Sequence, residues 1–278
     1  MTRFIFIAWL NLIINSASFA QQDSLSPDYF SIENLPEFTF GSGLGIMPRD
    51  SSFLINFRFR MQNRISFDAD GNGISRVEAR IRRLRLRFDG FILDPRITYA
   101  LQLSFAPEDI MDYMEDSPPN LIRDAVIYFS PNRHWTLGFG QTKLPGNRER
   151  INSSGDLQLA DRSPANSIFN IDRDFGIQVV YRNDSQNKLS YAIKGALTTG
   201  EGRNWVSSPG TGFSYTARLE ILPAGTFHRR GDFFQGDLVR ESKPKMAIGL
   251  VYNFNDDARR EAGQQGDLLF DTRDIRNI

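Results

Sequence analysis

The longest regular pattern in the chain is an alternation of apolar and polar side chains between Phe53 and Phe67. Odd positions carry phenylalanine, isoleucine or methionine, with Asn63 the exception, and even positions from Asn56 onward are polar or arginine. Because successive side chains of a strand point to opposite faces, this pattern predicts a β-strand. Its fifteen residues exceed the roughly five or six of an ordinary globular strand, whereas a tilted membrane-crossing strand takes about nine to eleven.

The next segment, from Arg76 to Phe88, has six arginines in thirteen residues and fits two different periods. As a helix it would carry a narrow apolar stripe, with arginines on the other faces as in a segment that binds nucleic acid or a membrane surface. As a strand, its apolar positions are odd before Arg82 and even after Arg83. We predict a strand with a β-bulge at Arg82–Arg83. The extra residue of a bulge would keep the apolar side chains before and after it on the same face of the strand.

Residues 68–73 separate these two segments and read Asp-Ala-Asp-Gly-Asn-Gly. The stretch is similar to the start of a calcium-binding EF-hand loop, but that loop needs a glutamate at its twelfth position, where this chain has Ala79. Asp, Asn and Gly between two alternating segments favour a hairpin turn instead.

Further alternating segments bring the expected total to about nine or ten strands. Several end in an aromatic residue, as in the interfacial girdles of membrane barrels. A short helix over residues 156–161 is also considered, with Ser153 or Ser154 as its N-cap. The further strand segments are 97–105, 125–129, 135–141, 175–181, 189–197, 213–221 and 245–254.

The N-terminus has the pattern of a secretory signal peptide over residues 1–20. Arg3 provides the positive start, an apolar stretch follows to Ile14, and Ser18-Phe-Ala20 matches a small-residue cleavage site. The apolar stretch is shorter than the roughly twenty residues of a spanning helix. We therefore divide the chain into a signal peptide (1–20), an N-terminal leader (21–48) and a partial β-barrel (49–278).

Composition excludes several classes of function. The 33 basic and 33 acidic residues give zero formal net charge, so a general nucleic-acid-binding surface is not expected. Arginine outnumbers lysine 28 to 5, and guanidinium groups suit the binding of oxyanions. Cysteine is absent and there are only two histidines, His134 and His228, for which we expect solvated or girdle positions. We expect no metal site, no cofactor and no enzyme activity.

These observations favour an all-β, antiparallel, up-and-down transmembrane β-barrel. A soluble sandwich with polar outer faces produces the same alternation, so the choice depends on strand length, aromatic strand ends and the signal peptide together. In a barrel of this kind the apolar face contacts lipid and the arginine face lines a wet interior.

The chain resembles the phosphate-selective porin O and P family of Gram-negative outer membranes, in the form found in Bacteroidetes. The motifs that carry the resemblance are Gly41-Ser-Gly-Leu-Gly45, Arg58-Phe-Arg-Met-Gln62, Gly140-Gln-Thr-Lys-Leu-Pro145, Asp161-Arg-Ser163, Arg173-Asp-Phe-Gly176, Gly236-Asp-Leu-Val-Arg-Glu241 and Pro244-Lys-Met-Ala-Ile-Gly249.

This resemblance implies a sixteen-stranded, homotrimeric, anion-selective channel with an arginine ladder and inward-folded loops. Its partners would be outer-membrane lipid and inorganic phosphate or other small anions. About nine or ten of the sixteen strands can be found, and the chain ends at Ile278 without a terminal aromatic strand. We therefore expect a C-terminally truncated chain. Among the family's constriction lysines, only Lys143 lies in a recognisable motif.

Nine residues are expected to line the pore or bind anions. Acidic neighbours such as Glu78, Asp89 and Asp109 offer an alternative, in which they simply neutralise the arginines. The connector 144–170 is interpreted as a loop folded towards the pore, with a flexible external loop as the alternative. The alternative function is a non-conducting structural or surface-binding barrel. The nine residues are Arg58, Arg60, Arg64, Arg83, Arg85, Arg87, Lys143, Arg150 and Arg162.

Overall fold

We describe the fold from a computed structural model of the 278-residue chain. The structure describes residues 5–6, 43–70, 73–110, 121–159, 161–186, 188–204, 212–257, 260–262 and 265–268. Most of the predicted signal peptide and leader, and the last ten residues, lie outside these ranges. Within the described ranges, no helix combines the length and the apolarity needed to cross a membrane.

The chain divides into two compact units, Met1–Arg123 and Asp124–Ile278. In the first, each long strand pairs antiparallel with the one before it, and two short strands pair with β3. The strand β6 (Ile122–Phe129) begins at the end of this unit. The elements of the first unit are β1 (Ile5–Phe6), β2 (Leu44–Ile46), β3 (Phe53–Asp70), β4 (Gly73–Ile92), β5 (Asp94–Ser104) and the one-turn helix α1 (Pro107–Ile110).

The second unit continues the same up-and-down order from β6 to β11. A separate pair, β12 (Arg260–Ala262) and β13 (Gln265–Leu268), follows. The expected all-β, antiparallel, up-and-down fold is confirmed. The other elements are β7 (Trp135–Lys143), α2 (Arg148–Ile151), α3 (Pro164–Ile168), β8 (Arg173–Asn183), β9 (Ser190–Thr198), β10 (Ser214–Leu222), a 3-10 helix (His228–Phe233) and β11 (Ile248–Asn255).

Burial is inverted relative to a water-soluble protein. Phe59 and Val77 are 58% and 59% exposed, whereas Arg83 and Arg218 are only 4% and 3% exposed. A soluble protein rarely buries arginine and rarely leaves a continuous apolar face in water. The distribution is the one expected when the apolar face of a strand meets lipid and the opposite face meets a polar interior.

The segment with six arginines is part of a strand, as predicted. In the β3–β4 pairing, Gln62 lies opposite Arg83 and the next residue, Asn63, lies opposite Ile81, so that Arg82 is the extra residue of a bulge. The helical alternative is therefore wrong. The hairpin prediction is also confirmed, because Asp70 pairs with Gly73 across the turn.

The helix considered over residues 156–161 is wrong. The described residues there form bends, and the Ser153 hydroxyl accepts a hydrogen bond from Gly155 N at 3.1 Å in a local turn. The helices lie on either side, at α2 and α3. Their N-caps are Asn147, which accepts from Arg150 N, and Ser163, which accepts from Asn166 N. Each helix therefore begins where a side chain can accept a hydrogen bond from a backbone N–H of the first helical turn.

A substitution at Gly140 tests how much the stability of the fold depends on the close approach of β6 and β7. Its φ is +127°, and a Cβ at this position would lie 2.2 Å from the carbonyl oxygen of Ala125. We expect Gly140→Ala to lower the free energy of unfolding by about 2 kcal/mol or more. Gly195→Ala is the control, since nothing lies within 4 Å of its Cβ position, and it should change stability by less than about 1 kcal/mol. Urea unfolding in detergent micelles, followed by tryptophan fluorescence, measures both; equal midpoints would contradict this account.

Candidate anion site

Three arginines of β3 lie directly opposite three arginines of β4. Residues directly opposite in an antiparallel pair share a face, with Cβ atoms about 4.5–5.5 Å apart, and like charges in this arrangement destabilise a sheet. Arg83 lies on the same face, opposite Gln62, and donates to its Oε1 at 2.6 Å. The first unit thus brings together all six arginines predicted for its strands. The opposed pairs are Arg58 with Arg87, Arg60 with Arg85, and Arg64 with Arg80.

Asp89 provides counter-charge at one end of this arginine face. Its carboxylate accepts from Arg87 Nε at 2.8 Å and also pairs with Arg58. Arg58 and Arg87 retain 43% and 39% side-chain exposure, so both guanidinium groups still contact solvent. One carboxylate between two guanidinium groups leaves a surplus positive charge there.

A second carboxylate, that of Asp109 at the end of α1, binds Arg85, which lies one step further along the face than Arg87. It accepts from Arg85 at 3.0 Å and from the Ser104 hydroxyl at 2.6 Å, and it also contacts Arg123. Burial works to raise the pKa of Asp109, but the charges of Arg123 and Arg85 outweigh it and hold that pKa well below its usual range. The stability that these ion pairs contribute is therefore fully present above about pH 4, the ordinary pKa of an aspartate, and is lost as pH falls through the depressed pKa. Acidic neighbours do neutralise part of the arginine face.

Lys143, at the end of β7, fixes the connector that follows it. Its Nζ donates to the carbonyl oxygens of Arg150, Ile151 and Asn152 at 3.0, 3.3 and 3.2 Å. These carbonyls lie at the C-terminal end of α2, where a helix has no internal donors for them. The Lys143 amino group therefore acts as a helix cap, which is a structural role that its family motif did not reveal.

Arg150 and Arg162 also bind groups of the same connector. Arg162 donates to the carbonyl oxygens of Glu149 and Asn152, each at 2.9 Å. Arg150 donates from Nε to Asp172 at 3.0 Å. The structure thus brings Arg162 and Lys143 together at Asn152, and the connector is packed and hydrogen-bonded in its own unit.

A buried ion-pair network holds the base of this connector. Arg173 donates to both carboxylate oxygens of Asp124, at 2.9 and 3.1 Å, and also to Asp172 at 3.1 Å. The Thr142 hydroxyl donates to Asp124 at 3.2 Å. A two-pronged pair of this kind fixes the relative orientation of the two side chains and also neutralises their charges. Sequence reasoning recorded Arg173 only as part of a motif and did not identify Asp124.

Two connectors of the second unit contact each other: residues 144–172 join β7 to β8, and residues 223–247 join β10 to β11. They start from opposite ends of the strands. The 223–247 connector is attached beside the β8–β9 turn, where Thr226 N donates to Ser185 O at 2.9 Å. The register places the 144–172 connector at the other end, where Lys143 pairs with Arg173. In between, Arg148 donates to Asp232 at 3.0 Å, and Gln235 N donates to Asp156 O at 3.0 Å.

Both connectors lie over a cluster of cations on the polar face of β9 and β10. The carboxylate of Glu220, a residue only 4% exposed, is shared by three cations: Lys194 at 3.1 Å, Arg218 at 3.3 Å and Arg148. Arg218 also donates to the carbonyl oxygen of Gly146 at 2.6 Å. With Asp232 as the second acid, the cluster keeps excess positive charge in a water-poor setting, where it attracts anions strongly.

Sequence reasoning missed three members of this cluster. Arg148, Lys194 and Arg218 are not among the nine residues that the sequence pattern selects. Both strand residues lie in the polar phase of alternating segments, so the pattern that selected Arg58 could have found them. Of the partner carboxylates, Glu220 lies two residues after Arg218 in the same polar phase, whereas Asp232 comes from the β10–β11 connector and no local pattern links it to the cluster.

Neither histidine has a catalytic arrangement. His134 stacks on Tyr181 with ring centroids 6.0 Å apart, next to Trp135 at a strand end, and His228 is exposed. This agrees with the girdle or solvated positions expected from the sequence. Within the described ranges, no cluster of histidine and acidic side chains could hold a metal ion.

The Lys143 cap can be tested by limited proteolysis. Lys143→Met removes the Nζ hydrogen bonds to three carbonyl oxygens at the end of α2, so local opening of the connector should increase. We expect trypsin to cleave after Arg148 or Arg150 at least about tenfold faster in the folded variant, since about 1.4 kcal/mol corresponds to a factor of ten. Lys188→Met, in the exposed β8–β9 turn, should leave this rate unchanged. Equal cleavage rates in the wild type and Lys143→Met would show that the cap does not hold the connector.

Comparison with known proteins agrees with the resemblance seen in the sequence. A search of curated proteins and a search of solved structures gave no match. The family model for phosphate-selective porin O and P matches residues 55–229, more than half of the chain. That range contains the arginine face, the 144–172 connector and the cluster around Glu220. This is a family of outer-membrane channels rather than of enzymes, and the chain belongs to the phosphate-selective porin O and P family.

Proposed function

We propose that the protein is a passive outer-membrane diffusion channel that selects anions, with inorganic phosphate or another small oxyanion as its substrate. The observation that carries this proposal is the arginine face of β3 and β4. Three arginine pairs stand directly opposite one another, although this costs stability in a sheet. An anion passing along the face would relieve that repulsion.

The same arrangement suits transport rather than tight binding. A channel must lower the cost of carrying an ion through a narrow, low-dielectric tube, and must release it quickly from each of several weak sites. Successive guanidinium groups provide such sites, and Asp89 and Asp109 limit the strength of each one. Arg58, Arg60, Arg64, Arg83, Arg85 and Arg87 form the proposed ladder. Lys143, Arg150 and Arg162 are proposed to act by holding the 144–172 connector within the pore.

Export, trimerisation and lipid contact complete the proposal. Apolar side chains such as Phe59, Met61 and Ile81 are exposed and would face lipid. We propose that the protein forms a homotrimer, as the family resemblance implies. Residues 1–20 would act as a cleaved signal peptide, residues 21–48 as a leader, and residues 49–278 as barrel.

Removing Arg58 and Arg87 tests the ladder. We expect the double variant Arg58→Gln, Arg87→Gln to lower the chloride-to-potassium permeability ratio about three- to tenfold, because Asp89 is left without its two partners. The ratio is measured from the zero-current potential across a planar bilayer in a KCl gradient. Arg133→Gln, in the exposed β6–β7 turn, is the control and should leave the ratio unchanged.

Two results would contradict the proposal. A cation-selective wild type, or a chloride current that phosphate does not reduce, would remove the assigned selectivity. A folded protein without any conductance would support the alternative of a non-conducting surface-binding barrel.

The signal peptide has its own test. Expressed in a Gram-negative host and recovered from the outer membrane, the mature chain should begin at Gln21, because Ser18-Phe-Ala20 has the small residues that signal peptidase requires. N-terminal sequencing measures this directly. Ala20→Arg should block processing, whereas Ala8→Leu keeps the apolar segment and should not. A chain that begins at Met1 in the membrane would contradict the assignment.

A further inference from the structure

The 223–247 connector encloses a cavity of about 930 Å³ against the polar face of β10 and β11. Arg148, Arg218, Phe227, Phe234, Lys243 and Val251 are among its lining residues. Its size lies within the roughly 300–1,000 Å³ of sites that hold organic molecules. It is much larger than a bare inorganic oxyanion requires.

The acidic side chains of this cavity are already paired. Asp232 accepts from Arg148 at 3.0 Å, and Asp237 accepts from Glu241 N at 3.0 and 3.1 Å. Glu241 accepts from His228 N and lies 3.9 Å from Lys245 Nζ. The Asp232 carboxylate is therefore paired with a cation of the 144–172 connector, and the carboxylates of Asp237 and Glu241 accept hydrogen bonds within residues 223–247.

Two cations of the lining retain hydrogen-bonding capacity. Arg218 is 97% buried, and its Nε–H has no acceptor among the described residues. Lys243 is exposed and makes no hydrogen bond or ion pair with the part of the chain that the structure describes. The positive charges of these two side chains would attract an oxyanion to the cavity.

Gly249 gives the Arg218 guanidinium its room. A Cβ at Gly249 would lie 2.9 Å from Arg218 Nη2 and 3.3 Å from Cζ. The guanidinium group therefore packs closely against Gly249 of β11 at the wall of the cavity. A larger residue at position 249 would displace it.

The remaining lining is apolar. Phe234 remains 37% exposed, although its connector is hydrogen-bonded to other residues of the second unit. Phe227 and Val251 add further apolar surface. Inorganic phosphate has no group that could use this surface, whereas an aromatic or aliphatic body would bury it.

We propose that this cavity is a binding site for organic oxyanions, with the charged group at Arg218 and Lys243 and an apolar body against Phe227 and Phe234. The inference rests on the proposed channel function and extends its substrates to small phosphate esters and carboxylates. Solutes of this class occupy the cavity longer than inorganic phosphate does.

Inhibition of chloride current tests the site, with phenyl phosphate and inorganic phosphate as probes. In the wild type, phenyl phosphate should reach half-inhibition at a concentration at least about fivefold lower, because its ring buries apolar surface. Phe234→Ala should bring the two probes within about twofold of each other while leaving inhibition by inorganic phosphate unchanged. Lys243→Gln should weaken phenyl phosphate about threefold. Phe169→Ala and Lys188→Gln, at exposed positions elsewhere in the unit, are the matched controls and should behave as wild type.

The outcomes separate this inference from the channel proposal. An anion-selective wild type inhibited equally by both probes, or a preference that survives Phe234→Ala, overturns the site and leaves the channel. A wild type without anion selectivity overturns the channel. Calorimetric titration of phenyl phosphate into the micelle-folded protein then decides the site by itself: binding lost in Phe234→Ala supports it, and no binding overturns it.

Discussion

A strand can present only every second side chain to a given face, and β4 keeps to this rule over 20 residues by including Arg82 as a bulge. Without the extra residue, Arg80, which precedes the bulge, would lie on the opposite face of the strand from Arg83, Arg85 and Arg87, which follow it. The bulge therefore allows a single arginine face and a single apolar face to run the length of the β3–β4 pair. The ladder proposed for anions depends on this local irregularity.

A second feature is the sharing of few acids among many cations. Asp89 contacts two arginines, Asp109 contacts two arginines, and Glu220 contacts three cations. Full pairing would stabilise the fold but would leave nothing for a mobile anion to bind. Partial pairing reduces repulsion enough for folding and retains the positive charge that transport needs. Each unit shows this arrangement by itself.

The two connectors of the second unit show how lysine and arginine can act through the backbone. Lys143 and Arg162 donate to carbonyl oxygens rather than to carboxylates. Such bonds hold a polypeptide segment in place without using an acid. The Asp124–Arg173 pair is buried and holds the base of the 144–172 connector. Charged residues in this family member therefore divide into those that hold the connectors and those that leave charge on the polar face.

The strands and the two faces could be read from the sequence, because the two-residue period is a local property of the backbone. The prediction of strands near 97–105, 175–181 and 189–197 agrees with β5, β8 and β9 to within a few residues. The bulge at Arg82 was also visible as a change of phase. The amino-acid order by itself determined which side chains can share a face. Only the tertiary structure decided that Glu220 lies under Arg148, that Lys143 caps α2 and that residues 223–247 meet the 144–172 connector. These contacts join positions far apart in the chain, and their energies depend on distances that no local pattern contains.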